Sequence, residues 1–278
     1  MNKMKIISNP IMLTLCIVFS GKNTASTDVS VVQIRSDSCQ TKTIVSRGEE
    51  LVYEIKWSFI KLGTIRLQTF PNYSAKAFID SYAGQPFVDI HSINETEMDT
   101  SFFSNSSWGI EKKGKFWQGL NYRNDAMNKC LLVEEMYQKD VQSQPSKYKV
   151  KDTLQLPSAS YLDGLSVVYY PRAMSHTIRT VDVPTIVNGK LGTITFRFGK
   201  SSGTESISVI QYPVRVIEVD GTLSVKGIFG LTGDFQGWFS DDSAAVPIKA
   251  KVKVLLGYVT VELIQWKRAE WEPPKVSF

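Results

Sequence analysis

Histidine is almost absent from this sequence: only His91 and His176 occur in 278 residues. Neither lies in a His-x-His, His-Glu-x-x-His or cysteine-rich spacing, and these are the patterns that hold zinc. Gly199-Lys200-Ser201 lacks the earlier glycine of a phosphate-binding loop, and the strand-like pattern after it replaces the helix that such a loop needs. We therefore expect no metal and no cofactor, and we expect a protein that is not an enzyme.

Cysteine is also scarce, with three residues in the chain. Cys16 lies in the apolar N-terminal stretch, which leaves Cys39 and Cys130 in the rest of the chain. An even number of cysteines in an oxidising compartment is compatible with a disulfide between them. Two separate thiols are the alternative, and the sequence leaves both open.

No apolar run is long enough to span a bilayer as a helix. Lys3 and Lys5 precede a short apolar stretch from Ile11 to Phe19, and no acidic residue occurs before it. This arrangement is typical of a signal peptide with cleavage near Ser26. A lipoprotein anchor at Cys16 is the alternative, but Leu15 is larger than the residue that usually precedes the acylated cysteine. We expect an exported protein that is periplasmic or associated with the outer membrane.

The excess of positive charge is small once the signal peptide is removed. The full chain has 32 basic and 27 acidic residues, and residues 1–26 contain three of the lysines and no acid. The mature chain therefore carries 29 basic and 27 acidic side chains, a net charge of +2. No dense basic cluster with interleaved aromatic residues is present, so we do not expect a nucleic-acid partner.

Period-two alternation dominates the remainder of the chain. Ile248, Ala250 and Val252 alternate with lysines near the C-terminus, and residues 49–70 read as a hairpin with Tyr53 on its buried face. The Asn188-Gly189 pair favours a type I′ hairpin turn. Further strands and turns are predicted at residues 75–82, 86–93, 95–103, 107–119, 177–187, 190–198 and 205–210, with a turn at Asp220-Gly221.

These strands predict an all-β fold: a large antiparallel curved sheet, a barrel or a two-sheet stack, with one short helix. The helix is predicted at residues 159–170, where Tyr161, Leu165 and Tyr169 recur at helical spacing and Pro171 follows. The same helix would begin at a capping box formed by Ser160 and Asp163 and would pack on the concave face of the sheet. The predicted organisation is a signal peptide (1–26), an N-terminal extension (27–46), a single β-rich domain (47–268) and a C-terminal tail (269–278).

Three motifs in order resemble the domain-of-unknown-function family 3108 of exported bacterial proteins. The first is Gly48-Glu49-x-Leu-x-Tyr53-x-Ile-x-Trp57 with Gly63-Thr64. The second is Asp163-Gly-Leu-Ser-x-x-Tyr-Tyr-x-Arg172, and the third is Gly237-Trp238-Phe-Ser-Asp241-Asp242 with Pro247. The resemblance covers residues 45–265. It implies a β-rich protein of the periplasm or outer envelope and implies no particular activity.

The aromatic content favours a ligand site in the curved sheet. The candidate ligand-binding residues are Trp57, Tyr161, Tyr169, Arg172, Trp238 and Phe239. We expect a lipid-like or other apolar small molecule as ligand, because a curved sheet of this size can hold one in its interior. A structural or protein-interaction module with envelope protein partners is one alternative.

An enzyme that acts on envelope glycans or lipids is the other alternative. Its candidates are Asp241, Asp242 and Arg172. The two aspartates follow one another, and adjacent strand residues point to opposite faces, so a turn is the favoured role for this pair. We expect Arg172 to pair with a buried acid, either Asp163 or Asp242.

Overall fold

The computed structural model describes residues 43–276 except for 85–88, 126, 129, 142–146, 200, 225–232 and 255–256. The predicted signal peptide, Cys16 and Cys39 lie outside the described residues. The described residues belong to one compact unit. Within the described part of that unit, no helix is long and apolar enough to cross a membrane.

One antiparallel sheet makes up most of the structure. Its strands are β1 Glu49–Trp57, β2 Ile60–Phe70, β3 Ser74–Ser81, β4 His91–Met98, β5 Ser104–Lys113, β6 Phe116–Asp125, β7 Cys130–Gln138, β8 Lys147–Gln155, β9 Thr180–Val187, β10 Lys190–Arg197, β11 Ser202–Glu205, β12 Val214–Leu223, β13 Gly233–Ser240, β14 Pro247–Lys253 and β15 Tyr258–Lys267. The helix α1 spans Ser166–Met174. This architecture confirms the predicted all-β fold with a large curved sheet and a short helix.

The order of strands in the sheet is β8-β7-β6-β5-β4-β3-β2-β1-β15-β14-β13-β12-β10-β9, and β11 pairs separately with β12. The first and last strands of the domain are therefore neighbours at its centre, where Tyr53 lies opposite Leu263. The inner side of this junction is apolar, since Leu51, Ile55 and Leu263 are buried. Burial of these alternate residues is the reason that the period-two pattern was readable in the sequence.

Two hairpins agree closely with their sequence signals. β1 and β2 pair from Glu49↔Thr69 to Trp57↔Ile60, as the pattern over residues 49–70 predicts. Asn188 and Gly189 both have positive φ angles, 52° and 73°, between the paired strands β9 and β10. Positive φ at both central positions is the requirement of a type I′ turn, which asparagine and glycine meet at low cost.

Several predicted strand boundaries are wrong. The predicted strands 86–93 and 95–103 are replaced by β4 alone, and the predicted strand 107–119 is a hairpin of β5 and β6. Gly114 has a φ of 63° at the turn of that hairpin. Alternation continues on both sides of such a tight turn, so periodicity does not reveal the break. The predicted strand 205–210 is also wrong, because β11 ends at Glu205.

The predicted turn at Asp220-Gly221 is an uninterrupted part of β12. A Cβ atom at Gly221 would lie 2.0 Å from the carbonyl oxygen of Thr195 and 2.4 Å from the ring of Phe235. Glycine is therefore needed at position 221 because the neighbouring strands approach β12 closely, and the chain does not turn there.

The helix begins and ends later than predicted. Ser166, and not Ser160, forms the capping box with Asp163: Asp163 Oδ1 accepts hydrogen bonds from the backbone N–H groups of Leu165 and Ser166, and Ser166 Oγ accepts one from the Asp163 N–H. Pro171 lies inside the helix and does not end it. The helix continues because Arg172, Ala173 and Met174 are buried, which offsets the hydrogen bond lost at the proline.

Residues on both sides of the predicted domain also pack on the sheet. Ile44 and Val45, in a helical turn, are buried in the core next to α1. At the other end Trp271 is buried in the same core, and Lys275 forms a bridge with Val214 at the start of β12.

Candidate functional site

The segment that leads into α1 connects the outer strand β9 with the start of β5. Leu162 forms a parallel bridge with Thr185, and its N–H donates to the carbonyl oxygen of Pro184 at 2.9 Å. On its other side, the carbonyl oxygen of Tyr161 accepts a hydrogen bond from the Ser104 N–H at 2.9 Å. The segment therefore bridges the interior of the curved sheet. It places Asp163, which follows Leu162, against the inner surface of β4 and β5.

Asp163 is buried, and four donors surround its carboxylate. Oδ1 accepts from the N–H groups of Leu165 and Ser166 at 2.7 and 2.9 Å, and Oδ2 accepts from the hydroxyls of Thr96 and Ser104. These bonds use the acceptor positions of both oxygens. The carboxylate therefore fixes the start of α1 to β4 and β5 and retains no open acceptor position for a direct ligand contact.

A cavity of about 250 Å³ lies beside this carboxylate, on the inner surface of β4, β5 and β6. Strand register places its wall residues in rows: Ser107 lies opposite Tyr122, while Asn94 lies opposite Gly109 and Gly109 opposite Leu120. The far wall is formed by the turn before α1 and by the end of β9, with Leu165, Ile186 and Asn188 among its residues.

A glycine makes room for the polar part of the cavity. A Cβ atom at Gly109 would lie 2.4 Å from Asn94 Oδ1, so the Asn94 amide lies directly over the β5 backbone. Any larger residue at this position would force the amide to move. The volume and its polar lining therefore depend on the absence of a side chain at position 109.

The Ser107 hydroxyl is buried without a partner. The residue is 7 % exposed, and its Oγ has no hydrogen-bond partner within the described part of the chain. A buried hydroxyl normally forms at least one hydrogen bond, because leaving water without a replacement bond costs roughly 1–3 kcal/mol. Ser107 lines the cavity, so the cavity is the direction from which a partner would come.

Tyr122 supplies a second neutral polar group. Burial raises the pKa of the Tyr122 phenol to about 12, against the effect of the hydrogen bond that its oxygen accepts from the Gly189 N–H at 2.7 Å, and the Asp163 carboxylate adds to the rise. The phenol therefore keeps its proton at neutral pH. Its oxygen is occupied as an acceptor, but its own O–H can donate to a molecule in the cavity.

None of the six residues predicted to bind a ligand lines this cavity. Tyr161 is buried in a small cluster with Leu131, Leu156 and Ile186, and Trp57 packs beside Ile55, Ile79 and Val259. Trp238 and Phe239 belong to the main core on β13, with Lys251 Nζ 5.4 Å from the Trp238 ring centroid. The remaining two, Tyr169 and Arg172, are in a buried ionic network.

Glu49 is the centre of that network, and it is the acid that Arg172 pairs with. The prediction of Asp163 or Asp242 as the partner is wrong. Arg172 and Glu49 have fully buried side chains and form a two-pronged ion pair, and Arg268 Nη1 donates to Glu49 Oε2 at 2.7 Å. Burial alone would raise the pKa of the Glu49 carboxyl, but the two guanidinium groups outweigh this effect and hold the pKa below its ordinary value.

The network joins distant parts of the chain. Arg172 also donates to the carbonyl oxygens of Ala244 and Ala245, at 3.0 and 3.1 Å. The Tyr169 hydroxyl lies 2.7 Å from the hydroxyl of Thr69, which donates to Glu49. Burial raises the pKa of Tyr169 well above its ordinary value. These contacts give Tyr169 and Arg172 a role in holding α1 to the sheet.

The Asp241-Asp242 pair adopts the turn that its sequence favours. Asp242 Oδ1 accepts hydrogen bonds from the N–H groups of Ala244 and Ala245, and Oδ2 accepts one from the indole of Trp271. Asp241 instead forms an ion pair with Arg215 at 3.1 Å. The two carboxylates face different partners and do not converge on one position.

Two further patterns are accounted for by local structure. Gly199-Lys-Ser-Ser-Gly203 has the Gly-x-Ser-x-Gly spacing of a nucleophile elbow, but such an elbow leads from a strand into a helix, and here Ser202–Glu205 is a strand. His91 Nδ1 lies 2.8 Å from Asp80 at the start of β4.

Among the described residues, no group of three or more His, Cys, Asp or Glu could hold a metal ion. Cys130 is buried, and its predicted disulfide partner Cys39 lies outside the described residues.

Comparison with known proteins gives a likeness of fold. No family model matches the chain. No curated protein matches it either. Among solved structures, it is similar to the crystal structure of a beta-barrel-like protein of the domain-of-unknown-function family 1849 from Brucella abortus, with a TM-score of 0.54 and 8 % sequence identity over 82 % of this chain and 100 % of that one. At this identity the likeness shows a β-barrel-like fold and no shared activity.

The residues around the cavity have weak sequence signals. Ser107 and Tyr122 lie in ordinary alternating strands, and nothing local marks them as members of a site. The isolated glycines at 109 and 119 in strand-like sequence are a usable signal, because a glycine inside a strand often marks a close approach. At Gly119 a Cβ atom would lie 1.7 Å from the carbonyl oxygen of Gly109.

Proposed function

We propose that this chain is an exported, non-enzymatic protein of the cell envelope, periplasmic or outer-membrane associated, whose curved β scaffold holds a small molecule in its interior. The observation that carries the proposal is the cavity beside Asp163, in which the buried Ser107 hydroxyl has no partner. A protein interior that served only to stabilise the fold would be filled by side chains and would leave no cavity of this size. The order of the three sequence motifs supports membership of family 3108, and the β-barrel-like fold supports the coarser statement of a β-rich domain.

A lipid-like ligand, which the aromatic content favours, fits this cavity less well than a small polar molecule does. The volume of about 250 Å³ is below the roughly 300–1,000 Å³ of pockets that hold drug-sized ligands. An acyl chain needs a longer apolar slot. The candidate aromatic residues Trp238 and Phe239 belong to the main core, away from the cavity lining.

Native mass spectrometry of the protein purified from its own envelope tests the proposal. We expect a retained molecule of small mass that dissociates on activation. N-terminal sequencing of the same material should give a start after one of residues 21–26, because the short apolar stretch behind Lys3 and Lys5 is the signal for export. An intact N-terminus would contradict export, and a ligand-free protein that binds no small probe would contradict the binding function.

A protein-interaction module is the second candidate, and the outer surface of the sheet favours it. Ile93, Ile110 and Met136 are buried there beneath the rings of Phe78, Trp108 and Trp117. Arg66 lies 4.2 Å from the Phe78 ring centroid, and Lys76 lies 5.6 Å from that of Trp108. Native mass spectra that show a complex with another envelope protein and no small molecule would favour this role.

A further inference from the structure

We infer that the cavity on the inner surface of β4, β5 and β6 binds a small, neutral, hydroxylated molecule of about monosaccharide size. This inference rests on the proposed function and names the class of its ligand. It is carried by the hydrogen-bonding groups that face the cavity and by the contacts that those groups already have.

The charged groups at the cavity are already neutralised or saturated. The Asp163 carboxylate accepts four hydrogen bonds from the protein, and the Glu95 and Glu111 carboxylates are paired with Lys76 and Lys113. No lysine, arginine or histidine is among the described residues that line the cavity. An anionic ligand would therefore meet the negative charge of Asp163 without a basic partner, and a cationic ligand would find no open acceptor on that carboxylate.

The groups with hydrogen-bonding capacity are neutral. Ser107 Oγ can donate and accept, since it has no partner in the described part of the chain. The Tyr122 hydroxyl already accepts a bond and can donate its proton. Asn94 and Gln118 add amides to the same wall. Hydroxyl groups, which both donate and accept, are the ligand groups that match this combination.

Apolar side chains complete the wall and limit the size. Leu120, Leu165 and Ile186 line the cavity opposite and between the polar groups. A compact molecule with hydroxyl groups on one side and C–H groups on the other, as in a sugar ring, satisfies both kinds of surface. The volume of about 250 Å³ suits a compact molecule better than a long chain.

Three probes test the class: D-glucose, D-glucuronate, which keeps the sugar ring and carries a carboxylate in place of the hydroxymethyl group, and n-decanol, each titrated into the mature protein while backbone amide NMR shifts are recorded. We expect D-glucose to shift the amides of β4, β5 and β6 at millimolar concentration, and D-glucuronate to bind at least tenfold more weakly because it brings a negative charge to the ring. Ser107→Ala should weaken glucose binding by roughly three- to tenfold, the effect of one hydrogen bond. Gly109→Ala should abolish it, because the added methyl displaces the Asn94 amide.

Gly203→Ala is the control for the glycine substitution. Gly203 is also in a strand, and a Cβ atom there meets nothing within 4 Å. Equal binding of glucose and glucuronate, loss of glucose binding in Gly203→Ala as in Gly109→Ala, or binding of n-decanol without glucose would overturn the inferred class. Failure of all three probes, together with a ligand-free native mass spectrum, would overturn the proposed function as well, so the two failures are distinguishable.

Discussion

Replacing Ser107 with alanine is expected to stabilise the protein in the absence of ligand. The wild-type hydroxyl is buried on β5 without a partner in the described residues, so folding removes it from water and gives no bond in return. Alanine has nearly the same shape at this position and carries no hydroxyl to desolvate. Most substitutions of buried residues destabilise, which makes a gain in stability here diagnostic.

The magnitude follows from the cost of an unpaired hydroxyl. Mutational data place that cost at roughly 1–3 kcal/mol, and partial relaxation around the site reduces what a single substitution recovers. We expect the free energy of unfolding of Ser107→Ala to rise by about 1 kcal/mol. For a domain of this size the melting temperature should rise by roughly 2–4 °C.

Ser104 provides the matched control on the same strand. It is also buried, but its Oγ donates to Asp163 Oδ2 at 2.5 Å. Ser104→Ala removes a donor from a buried carboxylate and should lower the free energy of unfolding by roughly 1–3 kcal/mol. Both variants share the change in strand propensity, so the difference between them isolates the hydrogen bond.

Urea unfolding of the ligand-free protein, followed by tryptophan fluorescence, measures both variants. The reasoning would be refuted if Ser107→Ala lost as much stability as Ser104→Ala. That result would mean that the Ser107 hydroxyl has a structural partner, and the cavity would then lose its strongest argument for a ligand.

Three further outcomes test other parts of the structure. Arg172→Ala should lower the free energy of unfolding by roughly 3–5 kcal/mol, because it leaves Glu49 buried with less compensating charge; a loss under 1 kcal/mol in urea unfolding would contradict the buried network. The pKa of Tyr169 is raised in the folded state, so the stability that this tyrosine contributes is complete below the unfolded pKa of about 10 and is lost as the pH rises above that value. Tyrosinate absorbance should therefore rise in step with unfolding at alkaline pH. Full ionisation of the tyrosines in a protein that stays folded would contradict this prediction. If Cys39 and Cys130 are bridged, the mature protein denatured without reductant should contain no titratable thiol, and two thiols would end that hypothesis.

Local sequence signals predict the hairpins well because each hairpin is decided by a few adjacent residues. The alternation around Tyr53 and the Asn188-Gly189 pair both act within a hairpin, and the structure has the expected register at each. The same kind of signal failed at Gly221, where glycine is required by the ring of Phe235 from the neighbouring strand. Sequence spacing cannot separate these two uses of glycine.

Long-range pairing explains the other differences. Arg172 pairs with a buried acid as predicted, but the acid is Glu49, 123 residues away in the chain, and not the predicted Asp163 or Asp242. The helix α1 starts later than predicted for a related reason: Asp163, which precedes it, is held by Thr96 and Ser104 from two other strands. The cavity depends on the register of three strands and could not be located before the sheet was known.

Two of the buried carboxylates, Glu49 and Asp163, contrast with the buried Ser107 hydroxyl. Glu49 is compensated by Arg172 and Arg268, and Asp163 by four hydrogen-bond donors, so each costly buried charge has contacts that offset its desolvation. Ser107 lies directly opposite Thr96, which donates to Asp163, yet its own hydroxyl is left without a bond within the described residues. Because the neighbouring Asp163 carboxylate is fully bonded while the Ser107 hydroxyl on the cavity wall is not, that hydroxyl is best explained by a partner from outside the chain. The free energy lost at Ser107 on folding would then be recovered when the ligand binds, which ties the stability of this region to occupancy of the cavity.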